Sequence, residues 1–320
     1  MKALTFSSFG GPEVLEYKTV VDPVLSAGEI LVQLKAIGLN YADIYRRKGN
    51  YHLKGAPPYI AGYEGAGVVV NANNVDGVKE GDRVGIADVP FANAEFVKVP
   101  FSHAIPLPED ISIETAATVL LQGLTAQYLA MDSHAIRPEE IIVIHAASGG
   151  VGKMLTQIAK MKGAVVIGLT TSDHKKNIIL SAGADVAFNL RDNWQNEVLH
   201  YTNIRGADVV YDSVGTTLQK SIAVTRTGGT VVFYGFTGGD PLLVDPRVLM
   251  DGSKTLTGGD LWNYLTSREE RINRSDLLFS WIRDGFIKVK EPVVFSLEEG
   301  RKAHEYLESG KSAGKVLLMP

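Results

Sequence analysis

Ile141 to Gly163 reads I-I-V-I-H-A-A-S-G-G-V-G-K-M-L-T-Q-I-A-K-M-K-G, an apolar strand that runs through a glycine-rich turn into a helix. Gly149 and Gly150 bring no side chain to a turn that an anion must approach, and Gly152 lets the helix close on the strand. The helix start adds unpaired N–H groups and the positive end of its dipole. This is the form of a dinucleotide pyrophosphate site, with Ala147 standing where the first glycine of the G-x-G-x-x-G pattern belongs. A second strand, Val165–Thr170, follows at βαβ spacing.

From Ile141 onward the same unit repeats. Strands are predicted at Ile141–His145, Val165–Thr170, Val186–Asn189, Asp208–Asp212, Thr230–Gly235 and Thr255–Gly258. Helical spacing marks Lys153–Met161, Lys175–Ser181, Trp194–His200 and Leu218–Val224, with Gly163, Gly183, Gly206 and Gly228 at the turns that follow. Six strands alternating with helices predict an α/β Rossmann fold with a doubly wound parallel six-stranded sheet, which binds its cofactor at the strands' carboxyl ends. The first 120 residues differ. Ile30–Ala36, Gly65–Val70, Arg83–Ala87 and Ala94–Val99 are short and separated by Gly, Pro, Asn and Asp turns, as in a compact β-barrel. The predicted division is therefore 1–122, completed by 264–320, and 123–263. The tail carries a helical pattern at Arg268–Arg283, another at Leu297–Leu307 and a last strand at Lys315–Met319. The cleft between two such domains is the expected active site.

Composition excludes several function classes. A formal charge of -4 without an acidic or basic block leaves no footprint for nucleic acid or an anionic membrane. The longest uncharged run, Thr115–Met131, is interrupted by Gln122, Gly123 and Gln127 and reads as a buried helix. Met1–Phe9 alternates like a strand rather than a signal peptide, so a cytoplasmic protein is expected. With no cysteine, disulfides, thiolate catalysis and Cys-ligated metal centres are excluded. The seven histidines show no paired metal spacing, and no catalytic metal is expected.

Several ordered motifs carry a resemblance. They are M-K-A-L-T-F-S-S-F-G-G-P-E-V-L at the start, A-I-G-L-N-Y-A-D-I-Y-R-R-K-G-N-Y (Ala36–Tyr51), A-G-Y-E-G-A-G (Ala61–Gly67) and G-D-R-V (Gly81–Val84). H-A-A-S-G-G-V-G (His145–Gly152), Y-D-S-V-G (Tyr211–Gly215) and G-K-V-L-L (Gly314–Leu318) complete the set. Over its whole length the sequence resembles the zinc-independent quinone oxidoreductases, the zeta-crystallin-like branch of the medium-chain dehydrogenase/reductase superfamily. That implies a GroES-like first domain. In the zinc alcohol dehydrogenases of this superfamily a cysteine stands at Asn40 and a histidine at Tyr63, so the resemblance implies a site without their Lewis acid.

What remains is hydride transfer from a nicotinamide to a flat acceptor, with donors for the developing charge. The resemblance places Asn40, Tyr45 and Tyr51 at the nicotinamide end of the site, the tyrosines as stacking or proton-donating groups. Packing of the first domain is the competing reading for these aromatics. Arg46 and Arg47 are expected at the mouth of the cleft or in solvent. The end of the second strand reads G-L-T-T-S-D-H-K-K (Gly168–Lys176). Thr171 and Ser172 are small and neutral where NAD enzymes carry an acid, and Lys175 matches the family lysine that pairs with the 2′-phosphate of NADPH. Asp173 is read as a helix cap, and an exposed helix start is the plain alternative for Lys175 and Lys176. The remaining NADPH contacts implied are Thr125, Ser148, Val151, Leu190, Ser213, Val214, Gly235, Phe236 and Lys315, beside the three glycines. Asp212 reads as structural, and Glu64 as a hydrogen-bonding support. Trp262 and Tyr264 are left between the acceptor pocket and a subunit contact.

Three functions fit: an NADPH:quinone reductase, a reductase of enones or enoyl thioesters, and an NADPH-binding protein without turnover. The resemblance also implies a homodimer joined through the edge of the cofactor domain near Thr255–Gly258.

Overall fold

The computed structural model describes residues 1–320. Its contacts form two compact units, one of Met1–Leu121, Leu265–Ser280 and Val289–Pro320, the other of Gln122–Tyr264 and Trp281–Lys288. In chain order the strands up to the glycine-rich turn are β1 (Lys2–Phe6), β2 (Glu16–Thr19), β3 (Glu29–Leu39), β4 (Tyr59–Ile60), β5 (Gly65–Asn71), β6 (Arg83–Ile86), β7 (Phe96–Pro100), β8 (Ile105–Pro106) and β9 (Ile141–Ile144). After it come β10 (Val165–Thr170), β11 (Val186–Asn189), β12 (Ala207–Asp212), β13 (Thr225–Phe233), β14 (Thr255–Gly258), β15 (Val293–Ser296) and β16 (Val316–Met319). The α-helices are α1 (Tyr41–Lys48), α2 (Ile113–Tyr128), α3 (Gly150–Met161), α4 (Lys176–Ser181), α5 (Trp194–Tyr201), α6 (Leu218–Val224), α7 (Arg247–Asp251), α8 (Arg268–Arg283) and α9 (Gly300–Glu308).

In the second unit the strand order is β11-β10-β9-β12-β13-β14 and every pairing is parallel. Counted from β9 this is 3-2-1-4-5-6, the Rossmann order, with its reversal between β9 and β12. Val143, Ile167, Leu169, Val210 and Val231 are buried together with Trp194, Val198, Leu218 and Ile222. A parallel sheet is covered on both faces, which explains why these strands read as continuous apolar runs. β13 starts earlier than the expected Thr230. Thr225 already pairs with Ala207, and the register shifts between Ala207 and Val209.

The first unit is all antiparallel except at its end. Its large sheet runs β15-β16-β3-β5-β6-β8 with β7 also on β3, beside a small sheet β2-β1-β4. The eleven-residue β3 serves as spine: Glu29–Gln33 pairs with β7, and Ile37–Leu39 pairs with the C-terminal β16. Leu4, Phe6, Ile30, Val32, Leu34, Ile37, Val97, Val99 and Leu318 form its core.

Helix α1 was not anticipated, because Y-A-D-I-Y-R-R-K carries only two aliphatic residues. The chain makes it locally: Asp43 in the first turn accepts the Asn40 N–H at 2.9 Å, and Gly49 ends the helix in the left-handed region (φ 81°). The helix corrects the expectation for Arg46 and Arg47, which are 2% and 0% exposed. Arg47 donates to Gly10 O at 3.2 Å, to Glu308 at 2.6 Å and to His304 Nδ1 at 3.2 Å. Burial, reinforced by the Arg47 charge, pushes the pKa of His304 from 6.5 to about 3. The unfolded chain thus holds a proton that the fold expels. The resulting stability is complete above pH 6.5 and is lost as pH falls, by roughly 1.4 kcal/mol per unit until the folded pKa is reached. His304→Asn, which keeps an acceptor for Arg47, is expected to flatten the fall in Tm between about pH 6.5 and 5. An unaltered slope in thermal melts across that range would trace the acid sensitivity to other groups.

Candidate active site

At the end of β9 the chain turns through Ala146, a non-glycine residue in the left-handed region (φ 48°), whose carbonyl accepts the Gly149 N–H at 2.8 Å. Helix α3 starts at once. A Cβ on Gly152 would stand 2.5 Å from Ala146 O and 2.7 Å from Ala147 Cα, and one on Gly150 would overlap the Gln122 carboxamide. Position 152 therefore requires glycine, whereas at 150 a side chain would have to displace the end of Gln122. Ser148 is 6% exposed, while Gly149, Gly150 and Val151 are half-buried. Thr125 lies on α2 just after Gln122 and is buried.

Beneath this turn a buried network links β9 to β12. Asp212 accepts Val214 N–H at 2.8 Å and Gly215 N–H at 3.1 Å, with Thr217 Oγ1 at 2.8 Å and Ser221 Oγ at 2.6 Å. Ser221 Oγ also lies 2.9 Å from His145 Nε2. Burial alone would raise the Asp212 pKa; the neighbouring His145 and these donors hold it below the ordinary value. His145 is pushed the other way from a cation, since its burial outweighs the pull of Asp212 and lowers its pKa. The carboxylate thus organises Ser213–Gly215, and Ser213 O in turn accepts Thr237 N–H at 3.0 Å while Val214 O accepts Gly238 N–H at 2.9 Å. Ser148–Gly152, Ser213–Val214 and Gly235–Phe236 are thereby gathered at the carboxyl ends of neighbouring strands.

At the end of β10, Thr171 is exposed and Ser172 half-buried, and Ser172 Oγ contacts His174 Nδ1 at 2.6 Å. Lys175 is 8% exposed, and burial lowers its pKa. Asp173 pairs with Lys176 at 2.8 Å and accepts from Asn189 Nδ2 at 3.2 Å. The two lysines have separate surroundings: Lys176 answers the acid, and Lys175 is turned inward. Leu190 is half-buried, its N–H bonded to Thr170 O at 2.7 Å.

In the first unit Asn40, Glu64 and Lys315 form one buried cluster. Lys315 Nζ donates to Asn40 Oδ1 at 2.9 Å and pairs with Glu64, which accepts Asn40 Nδ2 at 2.7 Å and Leu121 N–H at 2.7 Å. Asn40 Nδ2 also donates to Gly38 O at 3.2 Å. Both amide hydrogens of Asn40 are therefore engaged within the protein, and Glu64 supports three elements at once. Lys315, grouped with the cofactor contacts in the sequence, sits beside Asn40. Tyr45 and Tyr51 are half-buried, their rings 6.2 Å apart and edge-on, with Tyr41 packed against Tyr45 at 5.8 Å. Sequence reasoning missed Tyr41 and the role of Tyr63, whose ring lies under Arg46. Tyr264 stacks on Tyr128 at 4.4 Å in the second unit.

No three His, Asp or Glu side chains are grouped so as to hold a metal ion, and no helix is long and apolar enough to cross a membrane. The family model for the alcohol dehydrogenase GroES-like domain matches residues 26–141, and that for the zinc-binding dehydrogenases matches 150–273. The chain is 38% identical to a quinone oxidoreductase of Salmonella typhimurium, over 99% of each. It is 32% identical to a 2-haloacrylate reductase of a Burkholderia species, over 97% of this chain and 96% of that one. The Escherichia coli quinone oxidoreductase complexed with NADPH superposes with a TM-score of 0.96 at 35% identity, over all of both chains. With the Rossmann sheet and the GroES-like unit, these likenesses make one assignment: the chain belongs to the zinc-independent quinone oxidoreductases of the medium-chain dehydrogenase/reductase superfamily.

Proposed function

We propose that the protein is an NADPH:quinone oxidoreductase, the second unit binding NADPH and the first presenting its groups to the acceptor. One observation carries the cofactor choice: past the end of β10, Thr171 and Ser172 are neutral, the acidic Asp173 is paired with Lys176, and Lys175 is buried apart from that pair. The turn fits a pyrophosphate, since Gly149 and Gly150 bring no side chain to it and Gly152, where a Cβ would strike the backbone of Ala146 and Ala147, lets the helix start close on the strand. Gly149, Gly150, Val151 and Gly152 would hold the pyrophosphate with Ser148. Thr171, Ser172, Lys175 and Leu190 would hold the 2′-phosphate and adenosine end. Thr125, Ser213, Val214, Gly235 and Phe236 complete the proposed contacts; Lys315, grouped with them in the sequence, is instead bonded to Asn40 and Glu64 in the first unit. When bound, NADPH supplies the hydride. The phenols of Tyr45 and Tyr51 donate hydrogen bonds to the acceptor oxygens and deliver the proton, and Asn40, locked by Glu64 and Lys315, fixes the start of α1 from which Tyr45 projects. A quinone suits this small donor set, because the negative charge on its reduced oxygen is delocalised over an aromatic ring.

Steady-state oxidation of NADPH and NADH with matched quinones and enones tests the reading. Lys175→Ala is expected to raise the NADPH KM about tenfold or more, with little change for NADH, as loss of a charge-assisted phosphate contact requires. Equal effects on both cofactors would remove Lys175 from the phosphate site. Similarity to the 2-haloacrylate reductase supports a second reading, reduction of an activated double bond, which faster enone turnover in that series would select. We further propose a homodimer, since β14 ends its sheet and Leu242, Leu243 and Met250 are exposed before it, and, from the likeness to this family alone, a cytoplasmic location. A monomeric mass in sedimentation would exclude the dimer.

A further inference from the structure

Arg46 lies on α1 one residue beyond Tyr45, in a setting unusual for a cation. It is 2% exposed and pairs with Asp43 at 3.1 Å, itself 3% exposed. Asp43 is in turn bonded to the Asn40 N–H. The guanidinium carbon stands 3.5 Å from the centre of the Tyr63 ring and 5.0 Å from that of Tyr51. Arg46 Nε donates to His52 O at 2.9 Å, and Tyr63 Oη accepts the Lys54 N–H at 3.1 Å. Two anchors therefore grip the backbone within three residues of Tyr51, in a segment whose next residues, Lys54–Pro58, are exposed.

We propose that Arg46 is the positioning residue of the acceptor site: stacked on Tyr63 and bonded to the His52 carbonyl, it sets the ring of Tyr51 against Tyr45. The inference rests on the reading of Tyr51 as a donor to the acceptor. A planar guanidinium can stack, bond a carbonyl sideways and pair with a carboxylate at once. An ammonium cannot: it keeps the charge and loses the plane and the Nε donor. The charge also lies against the faces of two phenol rings, a placement that the aromatic quadrupole favours. A chain of contacts thus runs from Asn40 through Asp43 and Arg46 to Tyr51, so that one helix start and one loop are held in register.

The test is a double-mutant cycle of Arg46→Lys and Tyr51→Phe, read as kcat and KM for 1,4-benzoquinone and as the NADPH dissociation constant from fluorescence titration. Arg46→Lys keeps Asp43 paired, so the fold persists. It is expected to lower kcat/KM for the quinone about tenfold, with NADPH affinity within about twofold of wild type, and Tyr51→Phe to lower it similarly. The double variant is expected to be no worse than Tyr51→Phe alone, and Tyr63→Leu, which removes the supporting ring, to resemble Arg46→Lys. Additive losses, or wild-type turnover in Arg46→Lys, would overturn the inference while leaving Tyr51 in the site. Wild-type turnover in Tyr51→Phe would instead defeat the reading of Tyr51, and the inference with it.

Discussion

Gly152→Val is expected to raise the NADPH dissociation constant at least about a hundredfold and to abolish quinone turnover, because it separates the helix from the strand that aims it. Even a Cβ would stand 2.5 Å from Ala146 O and 2.7 Å from Ala147 Cα, and both are backbone atoms that cannot swing aside. Ala146 has no slack to give. It already sits at φ 48°, and its carbonyl is held by the Gly149 N–H. The first turn of α3 must therefore withdraw from β9, and the free N–H groups of that turn lose their common focus. Overpacking of this kind costs about 1–3 kcal/mol of stability, which a domain of this size survives. Gly149→Ala is the control, since its Cβ would lie 3.2 Å from Ala146 O at an ordinary φ of −76°. It should bind NADPH within about tenfold of wild type, as a single tight contact with room to relax implies. Fluorescence titration of both variants, with thermal melts to confirm folding, decides the matter. NADPH affinity unchanged in a folded Gly152→Val protein would mean that this turn is not the pyrophosphate site.

The same turn shows why the fold could be read from the chain. Ile141–Ile144 and Val165–Thr170 are strands with both faces buried, so burial alone writes a continuous apolar run, and the glycines that follow mark where each helix stops. Periodicity fails where polar residues are buried against one another. Helix α1 is hidden in Y-A-D-I-Y-R-R-K because its buried residues are Asp43, Arg46 and Arg47 with a single aliphatic side chain, Ile44. Beyond the local pairs of Asp43, its arginines bond partners 6 to 261 residues away in the chain, and no local pattern records such pairings. The residues proposed to hold the cofactor stand out in the sequence because most of them sit at strand ends and in glycine turns. The partnership of Lys315 with Asn40 and Glu64 was not, since it closes only when β16 pairs with β3.

That partnership sets the second large effect. Lys315→Met is expected to cost about 3–5 kcal/mol and to lower kcat/KM for quinones, because it strands the Glu64 carboxylate in a site with no solvent. Glu64 is 0% exposed and Lys315 4%, so neither charge has water to fall back on. Gly38 admits the carboxylate to this depth, where any side chain would overlap it. Without the ammonium, Glu64 keeps only the Asn40 Nδ2 and Leu121 N–H donors, and Asn40 Oδ1 loses the group that fixes its amide. Asn40 begins α1, so Tyr45 loosens with it. Removing the second charge should restore much of the loss: in Glu64→Gln/Lys315→Met the carboxamide still accepts from Leu121 and leaves no buried ion. Denaturation midpoints of the two single variants and the double supply the cycle. Strong recovery in the double variant identifies an ion pair held for geometry, in which quinone kcat/KM stays low while stability returns. A double variant as unstable as Lys315→Met would show that the lysine's methylenes and its bond to Asn40, rather than its charge, hold this end of the barrel together.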